Sequence, residues 1–579
     1  MKQFLKTTLA VVLGIIICSI LTVIFFAALV PSGNSRPSVP KDAVLTISDL
    51  TLDEQTVQMG GNLKIGNSIS FEQNSTLGIW DAINAINSAA QDPNIQLIYM
   101  KPEGIICGVA QMQELRSALE HFRESGKPVV SYLEVPTTGT YYLASVSDKI
   151  YMSPYTGINY MFTGLSGTLF FVKDLLDKLG VNVQLIRHGK YKSAGEMFIR
   201  SNASQENLEQ NKEMISSIWK TFSAQIASSR SISEDELNGI IDNLKLALPQ
   251  DFVDCKLCDG LLRRSELENK LCDLAMADKF KDIKSISLSD YSASLTPELK
   301  SGKKMAVIYA KGDIVDGDGK EGVAGDRFAK IIAKVAADSS IKVVVLRVNS
   351  PGGSVLASEK IKTELDSLAA KKHLIASYGD YAASGGYWIS NNAEKIFTNP
   401  ATLTGSIGVF GIVPDFSGTL RNVAHVTVTA VNSHKHSDMY SLVRPFDSEE
   451  YAYVQKGIEA VYDRFLDNVS QGRSMAREAV DEIGQGRVWT GTDALEIGLV
   501  DEIGTIEDAL RYAAAAGGEE DLAKWKIVSY PKPTSPMEDI MESLNKTTQD
   551  EFSVKFRSLA GKIDKPRILA RIPYEIQIH

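Results

Sequence analysis

The sequence has few of the residues that build disulfide frameworks, metal sites or nucleic-acid surfaces. Five cysteines in 579 residues are too few for a disulfide framework. Lysine and arginine number 61 against 71 acidic residues, a net charge of −10, so the basic field of a nucleic-acid-binding protein is absent. The sequence contains no P-loop or HExxH motif, and we therefore predict no nucleotide, metal or other cofactor. A GxSxG motif is also absent, which argues against an α/β-hydrolase.

Charge is missing from one long segment near the amino terminus. Residues 7–30 (TTLAVVLGIIICSILTVIFFAALV) would span roughly 36 Å as a helix, enough to cross about 30 Å of hydrocarbon. The apolar region of a cleaved signal peptide is shorter, about 7 to 15 residues. We therefore predict an uncleaved transmembrane anchor within residues 1–30, with a cytoplasmic amino terminus marked by Lys2 and Lys6. Residues 31–42, rich in proline and serine, are predicted to be a linker.

The rest of the chain is an internal duplication. Ile95–Met100 (IQLIYM) matches 341–346 (IKVVVL) at an offset of 246 residues. A repeat of this length predicts two domains of one fold rather than a solenoid, and we place them at 43–300 and 301–530, followed by a tail at 531–579. Six further positions share the offset: Tyr132, Gly139, Tyr141, Lys149, Ile150 and Pro154 recur as Tyr378, Gly385, Tyr387, Lys395, Ile396 and Pro400.

Each half alternates short β-branched runs with stretches of helical periodicity. In the second half, 342–348 (KVVVLRV) is typical of a buried strand, and Val355–Ala369 has apolar residues at helical spacing. Lys395–Thr398 is a further predicted strand. The regions 200–300 and 440–515 are helical in character. Strands that alternate with helices predict an α/β fold with largely parallel pairing in both domains.

Two glycine-rich turns in the second half are candidates for chemistry. NSPGGS at 349–354 lies between a predicted strand and a predicted helix, where exposed backbone N–H groups can bind an anion. DYAASGGY at 380–387 places Ser384 among small residues at a predicted helix start. Small neighbours let a substrate backbone approach, and the helix N-terminus favours negative charge on an attacked carbonyl oxygen. Taken alone, Ser384 has a structural alternative, because serine is a common N-cap.

The duplication shows which half carries the candidate nucleophile. Thr138 stands at the position of Ser384, and IC at 106–107 stands at the position of GG at 352–353. The first half therefore lacks both the serine and the glycines, and any nucleophile belongs to the second half. The first half has instead RHGKYKSA at 187–194, where the second half has a histidine-rich SHKHS segment. Taken alone, a lysine in such a string is most often a solvated surface charge.

Four motifs in order resemble a known family. NSPGGS, DYAASGGYW and NPATLTGSIGV, with GKYKSAGEMF in the preceding repeat, are similar to those of the S49 serine peptidases, in the long, duplicated form of the signal peptide peptidase A or protease IV type. The resemblance covers roughly 45–530 and includes the anchor. It implies a Clp/crotonase type of fold in both halves and a serine–lysine catalytic pair. Ser384 matches the nucleophile and Lys192 the general base, with Lys190 as a near miss, so each half supplies one member of the pair.

The resemblance also implies roles for other residues. A lysine amine can serve as a base if its pKa falls from about 10.4 towards neutrality, most simply through burial between the two domains. By analogy with Clp-type sites, the backbone N–H groups of Gly353 and Gly385 would form the oxyanion hole. Ser406 is the candidate for a hydroxyl that holds the lysine amine, and a turn or N-cap role is the alternative reading of this serine.

The implied function is that of a membrane-anchored serine endopeptidase without cofactors. It would cleave hydrophobic peptides such as signal peptides left after secretion. It would sit in the bacterial inner membrane through its N-terminal helix, with its body in the periplasm, as a homotetramer around an enclosed chamber. Two alternatives are a crotonase-like acyl-CoA enzyme, which an extracytoplasmic body disfavours, and a non-catalytic membrane scaffold, which the intact glycine turns of the second half disfavour.

Histidines and cysteines offer weaker candidates. His188 lies four residues from Lys192 and is an alternative base, whereas His434 and His436 are predicted to be surface residues. Cys255 and Cys258 have redox-pair spacing without a preceding strand or a second CxxC, so we predict no metal site there. In an oxidising compartment these two cysteines could form a small disulfide.

Overall fold

The structure is a computed structural model, and the predicted anchor, apart from positions 13, 14 and 17, lies outside the part of the chain that it describes. Described are residues 36–57, 76–155, 160–295 and 303–532, the backbone of the short strands Asn62–Ile65, Ile69–Glu72 and Arg567–Arg571, and positions 13, 14 and 17. Within these residues, no helix has both the length and the apolar character needed to cross a bilayer.

The first half is built on a parallel sheet of six strands. From one edge to the other, its strands are Gly260–Leu261, Lys149–Met152, Val129–Leu133, Ile95–Met100, Ala43–Ile47 and Lys284–Ser287. Val129–Leu133, in the interior of the sheet, is buried along its whole length. Continuous apolar strands of this kind are typical of parallel sheets covered on both faces.

The second half repeats this sheet strand for strand. In the same order and direction its strands are Glu502–Ile503, Lys395–Thr398, His373–Ala383, Ile341–Ser350, Lys304–Lys311 and Lys526–Tyr530. Leu403–Gly405 pairs with the far end of His373–Ala383, and Val488–Thr490 adds to it as an antiparallel strand. The repeated topology confirms the duplication and the largely parallel α/β fold.

The helices repeat as well. Those of the first half are Ile79–Gln91, Val109–Glu124, Thr138–Ala144, Gln205–Arg230, Glu234–Asp242, Pro249–Asp254 and Arg264–Leu274, together with Lys173–Lys178, Glu196–Ile199 and Leu288–Ser294. In the second half, the counterparts of the first seven are Gly325–Ala337, Val355–Ala369, Gly385–Ser390, Ser448–Arg473, Arg477–Ile483, Gly491–Glu496 and Ile506–Ala516. Val355–Ala369 has the predicted bounds, and the Ser354 hydroxyl caps it by accepting from the Ala357 N–H at 3.2 Å.

The regions predicted to be helical also contain strands. Gly260–Leu261 and Lys284–Ser287 lie within 200–300 and form the two edges of the first sheet. Glu502–Ile503 lies within 440–515 and forms one edge of the second sheet. These strands have only two to four residues, too few to show a period in the sequence.

A further sheet joins the two halves beside the glycine turn. Gly352–Ser354 pairs with the backbone of Arg567–Arg571, which pairs in turn with Val409–Asp415. Val409–Asp415 also pairs antiparallel with Asn182–His188 of the first half. Through these pairings, strand Asn182–His188 of the first half lies in the same sheet as the second-half turn Gly352–Ser354. The largest apolar cluster likewise crosses between the halves, because side chains of both central sheets belong to it, among them Ile98, Met100, Val307 and Val345.

Candidate active site

Ser384 lies on a tight turn between strand His373–Ala383 and helix Gly385–Ser390. Its backbone has φ +57° and ψ −112°, a conformation that non-glycine residues seldom adopt. The Ser384 N–H donates to the Gly405 carbonyl at 2.8 Å, and the Ser384 carbonyl accepts from the Trp388 N–H at 2.8 Å. These two bonds to buried backbone hold the strained residue in place, and its side chain is fully buried.

Lys192 reaches Ser384 from the first half. Its Nζ lies 2.8 Å from the Ser384 Oγ, and the lysine side chain is only 1% exposed. The preceding strand, Asn182–His188, is fixed to the second half by its antiparallel pairing. Beyond that strand, the Tyr191 N–H donates to the Gln485 carbonyl at 2.9 Å. The structure therefore brings together the serine and the lysine that the sequence singles out.

Two glycines of the second half allow this close approach. Gly486 has φ +80°, and a Cβ on it would lie 2.6 Å from the Cβ of Lys192. A Cβ on Gly408 would lie 2.6 Å from the Gly486 Cα and 3.2 Å from the Lys192 Cδ. Any side chain at either position would push the lysine away from Ser384. Sequence reasoning missed both residues, because their spacing along the chain gives no sign that a lysine of the other half packs on them.

Ser406 supplies the other polar contacts of the lysine amine. The Lys192 Nζ lies 2.9 Å from the Ser406 Oγ and 3.1 Å from the Ser406 carbonyl oxygen. The Ser406 hydroxyl itself donates to the Gly486 carbonyl at 3.3 Å, which leaves its oxygen free to accept from the amine. A neutral amine has two N–H donors and one lone pair, and these match two contacts with Ser406 and one with the Ser384 hydroxyl.

The environment of Lys192 favours the neutral amine. Burial lowers the pKa of this lysine well below its ordinary value near 10.5, because the charged form would lose its hydration. The backbone of Lys192 is held separately: its carbonyl accepts from the Arg187 Nη1 at 2.8 Å, and Arg187 pairs with the buried Glu196 at 3.2 Å. A neutral amine beside a serine hydroxyl can take the hydroxyl proton.

The predicted oxyanion donors are neighbours. Gly353 has φ +157°, and a Cβ there would lie 2.0 Å from the Ile314 carbonyl oxygen. A Cβ on Gly385 would lie 3.1 Å from the Gly353 nitrogen, so the two backbones are close to contact. Gly385 is the first residue of its helix, where the N–H has no intrahelical partner. The arrangement places two glycine backbones beside Ser384.

The other candidate bases lie elsewhere. Lys190 is exposed, with its Nζ 5.0 Å from the centroid of the Tyr191 ring. The His188 ring stacks on Tyr462 at 3.9 Å. His434 is exposed, as the sequence predicts, and the half-buried His436 contacts Glu450 at 2.9 Å.

Two further groups of potential ligands occur in the described part of the chain, a cysteine pair and an acidic cluster. Cys255 and Cys258 are both free thiols. The side chains of His436, Asp447 and Glu450 lie close enough to share a cation. However, Arg444 donates to both carboxylate oxygens of Glu450 at 2.7 Å and already supplies the positive charge there.

Comparison with known proteins finds matches in both halves of the chain. The sequence profile described as "Peptidase family S49" matches residues 121–278, which include Lys192, and residues 366–518, which include Ser384. The chain belongs to peptidase family S49. It is 35% identical to "Protease 4" of Salmonella typhi, over 88% of this chain and 84% of that protein. It is 34% identical to "Protease 4" of Haemophilus influenzae, over 76% and 72% of the two chains.

A plant relative extends the similarity beyond bacteria. "Serine protease SPPA, chloroplastic" of Arabidopsis thaliana is 27% identical over 87% of this S49 chain and 74% of the relative. Family membership and these relatives identify this S49 protein as a serine-type endopeptidase. The two family matches also correspond to its two repeated halves.

Proposed function

We propose that this S49 peptidase hydrolyses peptide bonds with Ser384 as nucleophile and Lys192 as general base. The observation that carries the proposal is the 2.8 Å contact between the Ser384 Oγ and an amine whose pKa is lowered by burial. A serine hydroxyl is a weak nucleophile until a base accepts its proton, and a neutral lysine can be that base.

The reaction would proceed in two steps. The Lys192 amine takes the hydroxyl proton as the Ser384 Oγ attacks the peptide carbonyl, and the N–H groups of Gly353 and Gly385 stabilise the oxyanion. The resulting ammonium donates its proton to the leaving amine, which yields an acyl-enzyme and a neutral lysine. The same amine then takes a proton from water as the water oxygen attacks the ester, and the ammonium returns this proton to the Ser384 Oγ as the acyl bond breaks. Ser406 keeps the amine directed at the Ser384 Oγ throughout.

We propose that substrates bind as an extended strand beside the glycine turn. The backbone of Arg567–Arg571 is extended between Gly352–Ser354 and Val409–Asp415, so this place accepts a strand with antiparallel hydrogen bonds. Main-chain pairing of this kind selects unfolded segments over folded proteins. We further propose hydrophobic peptides, including signal peptides left after secretion, as the substrate class, because a membrane-anchored enzyme would meet them.

The anchor, the location and the assembly remain part of this proposal. The anchor would be the apolar run 7–30, which holds the body at the outer face of the bacterial inner membrane as a homotetramer, with each half of Clp/crotonase type. Membrane fractionation of the full chain and of a variant that begins at residue 43 tests the anchor. The full chain should sediment with membranes and resist carbonate extraction, and the shortened chain should not.

The assignment of the base can be tested with two lysines two residues apart. The full chain in detergent, as wild type, Lys192→Met and Lys190→Met, would be given a fluorogenic hydrophobic peptide. We expect Lys192→Met to lose turnover by about 10³-fold or more, because the serine would have no general base to activate it. Lys190→Met should retain turnover. Near-normal turnover by Lys192→Met would place the base elsewhere.

A further inference from the structure

Asp380 of the second half, four residues before Ser384, contacts the first half through its carboxyl group. The Asp380 Oδ1 accepts from the Ala110 N–H at 2.8 Å, at the start of helix Val109–Glu124. A Cβ on Gly108 would lie 2.0 Å from the Asp380 Oδ2, so the carboxylate packs directly against the Gly108 backbone. Asp380 itself is on strand His373–Ala383, which ends at the nucleophile.

The turn that receives Asp380 is the first-half counterpart of the glycine turn. Residues 106–108 correspond to Gly352–Ser354 at the offset of 246, and helix Val109–Glu124 corresponds to Val355–Ala369. In both halves, a short strand leads through this turn into a helix. In the second half the turn is proposed to bind the oxyanion, whereas in the first half the turn and the start of its helix contact a carboxyl group of the other half. The donor in the first half is thus the N–H of Ala110 in the first turn of the helix, and Gly108 of the turn supplies a packing contact.

Asn349 connects Asp380 to the strand that leads into the second-half turn. Its Nδ2 donates to the Asp380 Oδ2 at 3.1 Å and to the Glu54 Oε1 at 2.7 Å. Its Oδ1 accepts from the Tyr381 N–H at 3.1 Å. Because Asn349 is on Ile341–Ser350, these bonds join the nucleophile strand, the strand before the oxyanion turn and the first half.

The surrounding charges keep this junction rigid. Arg347 lies on the same strand as Asn349 and is fully buried between Glu54 at 2.6 Å and Glu114 at 2.8 Å. Glu54 and Glu114 belong to the first half, so the ion pairs fix its position against the second-half strands. The Gln111 side chain also donates to the Glu54 Oε1 at 3.0 Å. A buried network with every member bonded has few alternative arrangements.

We propose that Asp380 is a positioning residue: bonded to the Ala110 N–H and packed against Gly108 of the first half, it sets the register of the nucleophile strand, so that the Ser384 Oγ meets Lys192 and the oxyanion turn. The proposal rests on Ser384 being the nucleophile. Asp380 is not expected to touch substrate. Its loss should therefore lower kcat and leave KM nearly unchanged, because a displacement of about 1 Å at the reacting atoms can cost about 10²-fold in rate.

The test approaches the contact from both sides. Asp380→Ala removes the carboxylate, and Gly108→Ala displaces it from the first half without altering the catalytic half. Alanine suits the Gly108 backbone, which has φ −74° and ψ 169°. In the full chain, we expect kcat to fall about 10²-fold in Asp380→Ala and about 10-fold in Gly108→Ala, with KM within about threefold of wild type in both. The double variant should be no slower than Asp380→Ala, since both changes act on one contact.

A matched control is provided by the duplication. Glu134 is the first-half counterpart of Asp380, and its side chain is 58% exposed and pairs with Lys101. Glu134→Ala should leave kcat and KM unchanged. Titration of the active-site serine with a fluorophosphonate corrects kcat for the fraction of folded enzyme in every variant. If Asp380→Ala does not fold, the positioning role is tested with Gly108→Ala and Asp380→Asn. The asparagine keeps an acceptor for the Ala110 N–H.

Two results would overturn the proposal. One is a normal kcat per titrated site in Asp380→Ala, which would make the contact structural only. The other is multiplicative losses in the double variant, which would mean that the two positions act independently. Failure of the underlying function has a different signature: Ser384→Ala and Lys192→Met would then remain active, whatever Asp380→Ala does.

Discussion

The two halves of the molecule have one topology and different chemistry at the same strand–helix turn. In the second half, Ser384 stands there with a strained backbone, and its hydroxyl contacts Lys192. In the first half, Thr138 stands there within a regular helix, and its hydroxyl donates to the Gly164 carbonyl at 2.8 Å. The threonine hydroxyl is thus bonded to backbone of the first half, whereas the serine hydroxyl contacts a lysine amine from the other half.

Under the proposed mechanism, the duplicated chain divides one active site between its two copies. The second half keeps the serine and both glycine turns. The first half supplies the lysine, and its own turn holds Asp380 of the second half. On this proposal neither half would be complete alone. The shared apolar core and the pairing of Asn182–His188 with Val409–Asp415 join the two halves.

The largest difference should appear between alanine variants of the two equivalent hydroxyl residues, Ser384 and Thr138. Ser384→Ala should lower kcat by about 10⁴-fold or more, because removal of a nucleophile abolishes covalent catalysis. Thr138→Ala should leave kcat within about twofold, since that hydroxyl bonds only backbone. Steady-state cleavage of a fluorogenic peptide measures both. A large loss of kcat in Thr138→Ala would contradict the division of roles between the halves.

The next effect concerns stability and again uses equivalent positions. Arg347→Met leaves buried Glu54 and Glu114 without their cation, and we expect a loss of about 3–5 kcal/mol of unfolding free energy. Its counterpart Lys101 forms an exposed pair with Glu134, so Lys101→Met should cost only about 0–1 kcal/mol. Urea denaturation followed by tryptophan fluorescence compares the two. Equal losses would show that the buried network does not hold the halves together.

The pH profile tests the state of the lysine. The base must be neutral, so kcat/KM should rise with pH through the lowered pKa of Lys192 and reach a plateau well below pH 10.5. A limb that still rises near pH 10.5 would mean that the amine is not desolvated during catalysis. Initial rates in a constant-ionic-strength buffer series supply the profile.

The same shift of the Lys192 pKa predicts a difference in stability. Unfolded Lys192 binds a proton that the folded residue does not, so acidification from about pH 10 destabilises the wild type. Lys192→Met lacks this proton uptake. Its unfolding free energy should therefore fall less over the same range, and parallel pH curves for the two proteins would contradict the lowered pKa.

The smallest effect is expected at Ser406. Ser406→Ala removes the hydroxyl contact at 2.9 Å but leaves the carbonyl contact at 3.1 Å, so the amine keeps one of its two anchors. We expect kcat to fall about 10-fold, the cost of about 1.4 kcal/mol in transition-state stabilisation. Ser406→Thr, which restores a hydroxyl, should recover part of the rate. An unchanged kcat in Ser406→Ala would assign this serine to the turn alone.

Much of the fold was predictable because it follows local patterns. Buried parallel strands such as Ile341–Ser350 are continuous apolar runs, and Val355–Ala369 has a helical period with a serine cap. The short edge strands Gly260–Leu261 and Lys284–Ser287 were missed, because tertiary pairing rather than periodicity makes them strands. Gly408 and Gly486, which pack against Lys192, were missed for a similar reason.

The sequence by itself determined the duplication, the alternation of strands and helices, and the half in which a serine nucleophile can stand. These properties are carried by residues close together in the chain or by a constant offset. The family resemblance had singled out Lys192, but only the tertiary structure shows that its amine contacts Ser384 and that Asp380 packs against Gly108 of the first half. The reason is that Lys192 and Ser384 are 192 residues apart, and their contact depends on the pairing and burial of strands from both halves.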